Sequence, residues 1–93
     1  MNPLHADYDN SADVLYLYKD RPLASTTETD DHGLLLRYSH DDGSPSGVTV
    51  VFYRRDWLAH RVPLSSRIGA FLGIDSTLVE RVLSDLDVQE HAN

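Results

Sequence analysis

Cysteine is absent from this chain of 93 residues, so disulfides, thiolate zinc sites and cysteine nucleophiles are excluded together. Long apolar runs are absent too: nothing approaches the roughly 18 residues that a membrane span requires. The opening MNPLHADYDN has neither a charged leader nor an apolar stretch, so no signal peptide is expected. A cytoplasmic protein is the resulting expectation. Basic residues are scarce, 8 against 15 acidic ones, for a formal charge of -7. Such a balance argues against sequence-independent nucleic-acid binding, because phosphates would be repelled by most of the surface. There is no G-x-S-x-G elbow, no H-E-x-x-H helix and no glycine-rich phosphate loop. No enzymatic activity and no cofactor are expected.

What is present suits one small domain. The length leaves no room for a second core, and 41% hydrophobic residues suffice for the first. Charge is unevenly placed. Residues 54–74 carry Arg54, Arg55, Arg61 and Arg67 against Asp56, while the flanking blocks are strongly acidic.

The first half reads as strands. Asp13 to Lys19 alternates Val14, Tyr16 and Tyr18 with Leu15 and Leu17, the period of two expected of a strand. Arg21-Pro22 is placed to break it. Ser25 to Thr29 predicts a polar edge strand, and Gly33 to Ser39 and Ser46 to Tyr53 predict two more, separated by the turn SHDDGSPSG. Ala6 to Asp9 pairs as a short first strand. The second half reads as helices. RRDWLAHRV predicts a helical turn or an irregular link ended by Pro63, followed by a helix over Ser65 to Leu72 that Gly73 stops. A last helix carries the stripe Leu78, Val79, Val82, Leu83 and Leu86. Asp75, Ser76 or Thr77 can cap it, and Thr77 with Glu80 fits a capping box. The order predicts an α+β domain: an antiparallel β-meander of four to five strands over about 6–53, with C-terminal helices over about 54–90 packed on one face.

Strand parity sorts the side chains. Leu15, Leu17, Leu34, Leu36, Val48, Val50 and Phe52 form the set expected under the helices. Tyr16, Tyr18, Leu35, Arg37, Val51 and Tyr53 form the other face, more apolar than a water-facing sheet usually is. Tyr16, Tyr18, Leu35, Val51 and Tyr53 are therefore candidates for a protein interface, with a second copy in a homodimer or with a basic protein partner.

Other clusters carry less. Asp7, Asp9, Ser11 and Asp13 alternate like calcium ligands, but Ala12 stands where that loop needs glycine and Tyr18 where it needs a bidentate glutamate. His32 and His40 each neighbour two aspartates but lie at opposite ends of one strand, so turn chemistry explains them better than a shared metal. Arg54, Arg55, Arg61 and Arg67 form a candidate basic patch able to dock a carboxylate or phosphate, or to neutralise the acidic loops. RIGAFLGIDSTLVERVL, residues 67–83, has the spacing of a helix-turn-helix, which is the alternative reading as a small DNA-binding regulator. Its second helix offers Arg81 as its only base, so a structural hairpin fits better.

YDNSADVLYLY followed by TTETDDHGLLLRYSHDDGSPSGVTVV also resembles a known family, the domain-of-unknown-function family 2283. Tyr8, Asp9, Asp13, Leu15, Tyr16, Gly33, Gly43 and Gly47 stand at matching places, over about half the chain. The resemblance implies a small prokaryotic protein with an antiparallel sheet followed by helices, and no assigned activity. Some members are thought to be encoded beside toxin-like small proteins, so an antitoxin-like role comes with it. Thr49 departs from the acidic residue frequent in the family.

Overall fold

The two most apolar strands take the middle of the sheet and the most polar one takes an edge. The computed structural model describes residues 4–19 and 25–91, with side chains to Leu86. Five antiparallel strands are formed, β1 (Leu4–Asp9), β2 (Val14–Lys19), β3 (Ser25–Thr29), β4 (Leu35–Ser39) and β5 (Pro45–Val51), in the spatial order β1-β2-β5-β4-β3. The α+β class and the antiparallel sheet are as expected. Of the consecutive pairs only β2 and β3 do not neighbour each other. β5 pairs with β2 instead, which buries VLYLY against GVTVV and leaves STTET at the rim, where unpaired backbone groups meet water. Arg21-Pro22, the expected break after β2, lies outside the described residues.

The strand parity holds as far as Val51. Leu15, Leu17, Leu34, Val48 and Val50 are buried on one face, joined there by Leu4 from β1. At Phe52 the chain turns left-handed, with φ 57, and the alternation ends. The next residue is swung into the core. Tyr53 is 0% exposed and Phe52 is 41% exposed, so the two residues exchange the roles that uninterrupted parity assigns them. A period of two survives only while the backbone stays extended.

Tyr53 opens a wide helical turn of π type, Tyr53–Trp57, followed by a 3₁₀ turn, Leu58–His60, and then helix α1, Arg61–Leu72. Pro63 therefore does not end this link. It sits in the first turn of α1, where its missing N–H has no intrahelical acceptor to lose. Gly73, with φ 71, ends α1 in the left-handed conformation that glycine adopts without strain. Helix α2, Ser76–His91, is capped by Asp75, whose Oδ1 accepts from the Thr77 amide at 2.8 Å and also from the Thr77 hydroxyl. Asp75 thus does the work expected of a capping box at Thr77 and Glu80.

Both helices lie on the face bearing Leu15 and Val48, α1 against β5 and α2 against β1. Leu64, Ile68 and Leu72 of α1 and Val79, Val82 and Leu83 of α2 complete the core. The helices meet at Gly69, where a Cβ would stand 2.5 Å from the Ile74 carbonyl oxygen. Gly69→Ala should gain a little helix propensity yet lose about 1–3 kcal/mol to overpacking against backbone that cannot yield. A urea titration checks the sign.

Candidate functional site

Among the described residues no helix lies on the opposite face of the sheet, and its side chains are set by the pairing register. One row across the strands runs Asp7, Tyr16, Thr49, Leu35, and the next runs His5, Tyr18, Gly47, Arg37. Gly47 contributes no side chain to its row. It cannot: a Cβ there would lie 2.5 Å from the Leu17 carbonyl oxygen. The gap it leaves is a hollow of ≈ 220 Å³, walled by Tyr16, Tyr18 and Arg37, floored by Thr49 and bounded by Asp7 and Ser46.

The walls are held in place. Tyr18 donates its hydroxyl to Asp7 Oδ2 at 3.1 Å and stacks on the His5 ring at 5.4 Å between centroids. Desolvation, then the hydrogen bond and charge of Asp7, raise the Tyr18 hydroxyl above its ordinary pKa, so the donor stays protonated at neutral pH. Arg37 is fastened by two neutral groups. Its Nε donates to Thr49 Oγ1 at 3.0 Å and an Nη donates to Ser25 Oγ at 3.2 Å. Thr49 is buried although it faces away from the helices, covered by its neighbours in the rows. The guanidinium is half-buried and no carboxylate among the described residues pairs with it. Tyr16 has no such anchor and stands 39% exposed at the edge of the hollow.

No protein-family model matches this chain, and neither does any curated protein or solved structure. The likeness to family 2283 therefore rests on the residues quoted for it. The geometry gives those residues physical work. Asp9 Oδ1 accepts from the amides of Ser11 and Ala12 and closes the β1–β2 turn. Asp13, itself left-handed with φ 55, reaches out of that turn. Its Oδ1 accepts from the Tyr8 hydroxyl at 2.6 Å and the Arg54 amide at 2.8 Å, and its Oδ2 from the Arg55 amide at 3.1 Å. The turn is thereby clamped to the helical link 41 residues further on. Asp7, Asp9 and Asp13 are all engaged by the protein itself, and the three do not converge as a cation loop.

Of the candidate interface, Tyr16, Tyr18, Leu35 and Val51 share the open face, with Leu35 and Val51 half-buried. Tyr53 does not belong to it. The kink at Phe52 places Tyr53 in the core, edge-on to Tyr8 at 6.0 Å. The candidate basic patch is dispersed. Arg54 lies over the Tyr8 ring beside Asp13, and Arg55 lies over the Phe52 ring and pairs with Asp56 at 3.0 Å. Arg67 faces the other hairpin, 3.6 Å from Asp30 and 2.9 Å from His32 Nε2. Arg55 and Arg67 each pair with an acid of their own and Arg54 lies beside Asp13, which suits neutralisation of acidic turns better than a shared anion site. His32 and His40 sit in turns at opposite ends of β4.

The helix pair at 67–83 buries Val79, Val82 and Leu83 in the core, and the exposed side of α2 shows Ser76, Thr77, Arg81, Ser84 and Asp85. Among the described side chains of that surface, one cation beside one anion gives little attraction for a phosphate backbone. Missing from the sequence reading were Gly47 as the maker of the hollow, Asp7 as the partner of Tyr18, and Asp13 as a clamp. Cross-strand partners are invisible until the register is known. The spacing of YDNSAD held only the turn signal.

Proposed function

We propose that this protein is a non-enzymatic interaction module, and that its open sheet face docks on another protein. What carries the reading is the combination of an exposed tyrosine with a hollow beside it on a face that no helix covers among the described residues. Contiguous apolar and aromatic surface rimmed by polar groups is the usual composition of a docking patch. Tyrosine suits it, since a rigid ring contributes contact area and a hydroxyl tolerates both water and burial. The surrounding acidic surface favours a basic partner or a meeting confined to the neutral face. An antitoxin-like role belongs to the basic-partner form and rests on the family resemblance. We place the protein in the cytoplasm, in keeping with a chain free of cysteine. Among the described residues no helix is long and apolar enough to cross a membrane.

Tyr16→Glu tests the reading, since it puts a charge on the exposed ring position and leaves the core alone. Native mass spectrometry of the protein taken from its own host should show a stoichiometric second subunit for the wild type and bare monomer for the variant, with unchanged melting. An assembly of the same mass in both would overturn the face assignment.

A further inference from the structure

Resting on that reading of the open face, we propose that its occupant is a second copy of this chain, docked face to face about a two-fold axis. The surface is self-complementary in shape. An axis laid along the strands between β2 and β5 exchanges β2 with β5 and β1 with β4, given the order β1-β2-β5-β4-β3. It sets Tyr16 of the second copy, on β2, above β5 at the level of Thr49, because Tyr16 and Thr49 are register partners. That is the floor of the hollow that Gly47 leaves open. The exposed Tyr16 ring and the hollow beside it are thus related by the same axis, and each copy supplies a knob and receives one. Isologous dimers require this kind of pairing of a surface with itself. Facing sheets pack about 10 Å apart, a depth that a tyrosine ring fills.

Charge agrees. Among the described residues and away from the Asp9–Asp13 turn, the charged side chains of this face are Asp7 on β1 and Arg37 on β4. Two copies of a chain of charge -7 repel over most of their surfaces, and this near-neutral face is where they can meet. The axis that exchanges β2 with β5 also carries β1 over β4. Asp7 of the second copy then stands above the level of Leu35, two residues from Arg37, or about 7 Å along the strand. An arginine side chain spans that distance. Arg37 would gain a carboxylate partner, which it lacks among the described residues, twice per dimer, in pairs flanking the two tyrosines.

The test reverses these charges. Asp7→Arg sets two arginines against each other at both ends of the dimer, and Arg37→Glu sets two carboxylates there. Each variant should weaken self-association about a hundredfold or more, as like charges in an interface do. Mixed in equal amounts, the two should form a heterodimer, because both of its contacts are then of opposite sign. Sedimentation velocity across the micromolar range reads all four samples, with melting curves as the check on folding. Should Arg37→Glu lose its fold along with the hydrogen bonds to Thr49 and Ser25, Arg37→Gln keeps donors for both. It still relieves the repulsion when mixed with Asp7→Arg. A wild type that stays monomeric overturns the second copy as occupant, while the docking reading stands or falls with Tyr16→Glu. A dimer indifferent to both charge reversals lies on another surface and overturns both. A mixture that fails to restore the dimer overturns the pairing of Asp7 with Arg37.

Discussion

Tyr53→Ala should lower stability by about 3–5 kcal/mol, the cost of deleting a buried aromatic ring and leaving part of its volume empty. The ring is 0% exposed and sits where the sheet hands over to the helices, edge-on to Tyr8 and within one core with Leu64 and Ile68. A domain of this length is stabilised by about 5–14 kcal/mol in total, so the variant loses a large share and its melting temperature should fall by on the order of 20 °C. Tyr16→Ala is the control. Its ring is 39% exposed and packs only on the open face, so its loss should cost within about 1 kcal/mol. Thermal unfolding of the two variants side by side therefore reads which tyrosine belongs to the core. Equal effects would mean that the left-handed kink at Phe52 does not exist in solution.

Asp13→Ala comes next in size. It removes the acceptor of three hydrogen bonds, from the Tyr8 hydroxyl and the amides of Arg54 and Arg55, and puts a Cβ-bearing residue without a polar side chain at φ 55. A loss of about 3 kcal/mol follows from charge-assisted bonds of this kind and the left-handed penalty. Asp13→Asn should lose less, since asparagine tolerates the same backbone and keeps one acceptor oxygen. The pH dependence separates charge from geometry. Desolvation, the largest single effect on this carboxyl, acts to raise its pKa. The Tyr8 hydroxyl, the two amides and the Arg54 charge together outweigh it and hold the group below its ordinary value. In the unfolded chain the same group titrates near its ordinary value, so the unfolded state takes up the proton first. The stabilisation from the charge is complete above that value and drains away as the pH falls through the lower, folded one. Urea unfolding at neutral pH and in the acid range should therefore show wild type and Asp13→Asn converging as the solution is acidified. A difference that stays constant would mean that the carboxylate charge contributes nothing.

The two residues show where the sequence was readable. Tyr53 lies at the end of VTVVFY, a stretch whose alternation runs without a visible break, and a purely periodic reading carries it to the wrong face. The break is a single positive φ at Phe52, a residue type that gives no sign of it, since bulky side chains avoid that conformation unless their surroundings impose it. Asp13 was legible as a turn former, because aspartate next to asparagine and serine ahead of an apolar strand is turn chemistry. Two of its three partners lie 41 and 42 residues away and became neighbours only when β5 inserted beside β2.

By itself the sequence determined the strands, the helices, the edge position of STTET, a cap among Asp75, Ser76 and Thr77, and the glycine stop. Each follows from local propensity and from a repeat of two or 3.6 residues along the chain. The tertiary structure decided the strand order, the exchange of Phe52 with Tyr53, the dispersal of the arginines and the hollow above Gly47. Those depend on which strand lies beside which, and pairing between distant segments is set by the burial of whole faces, a property of no single stretch of sequence.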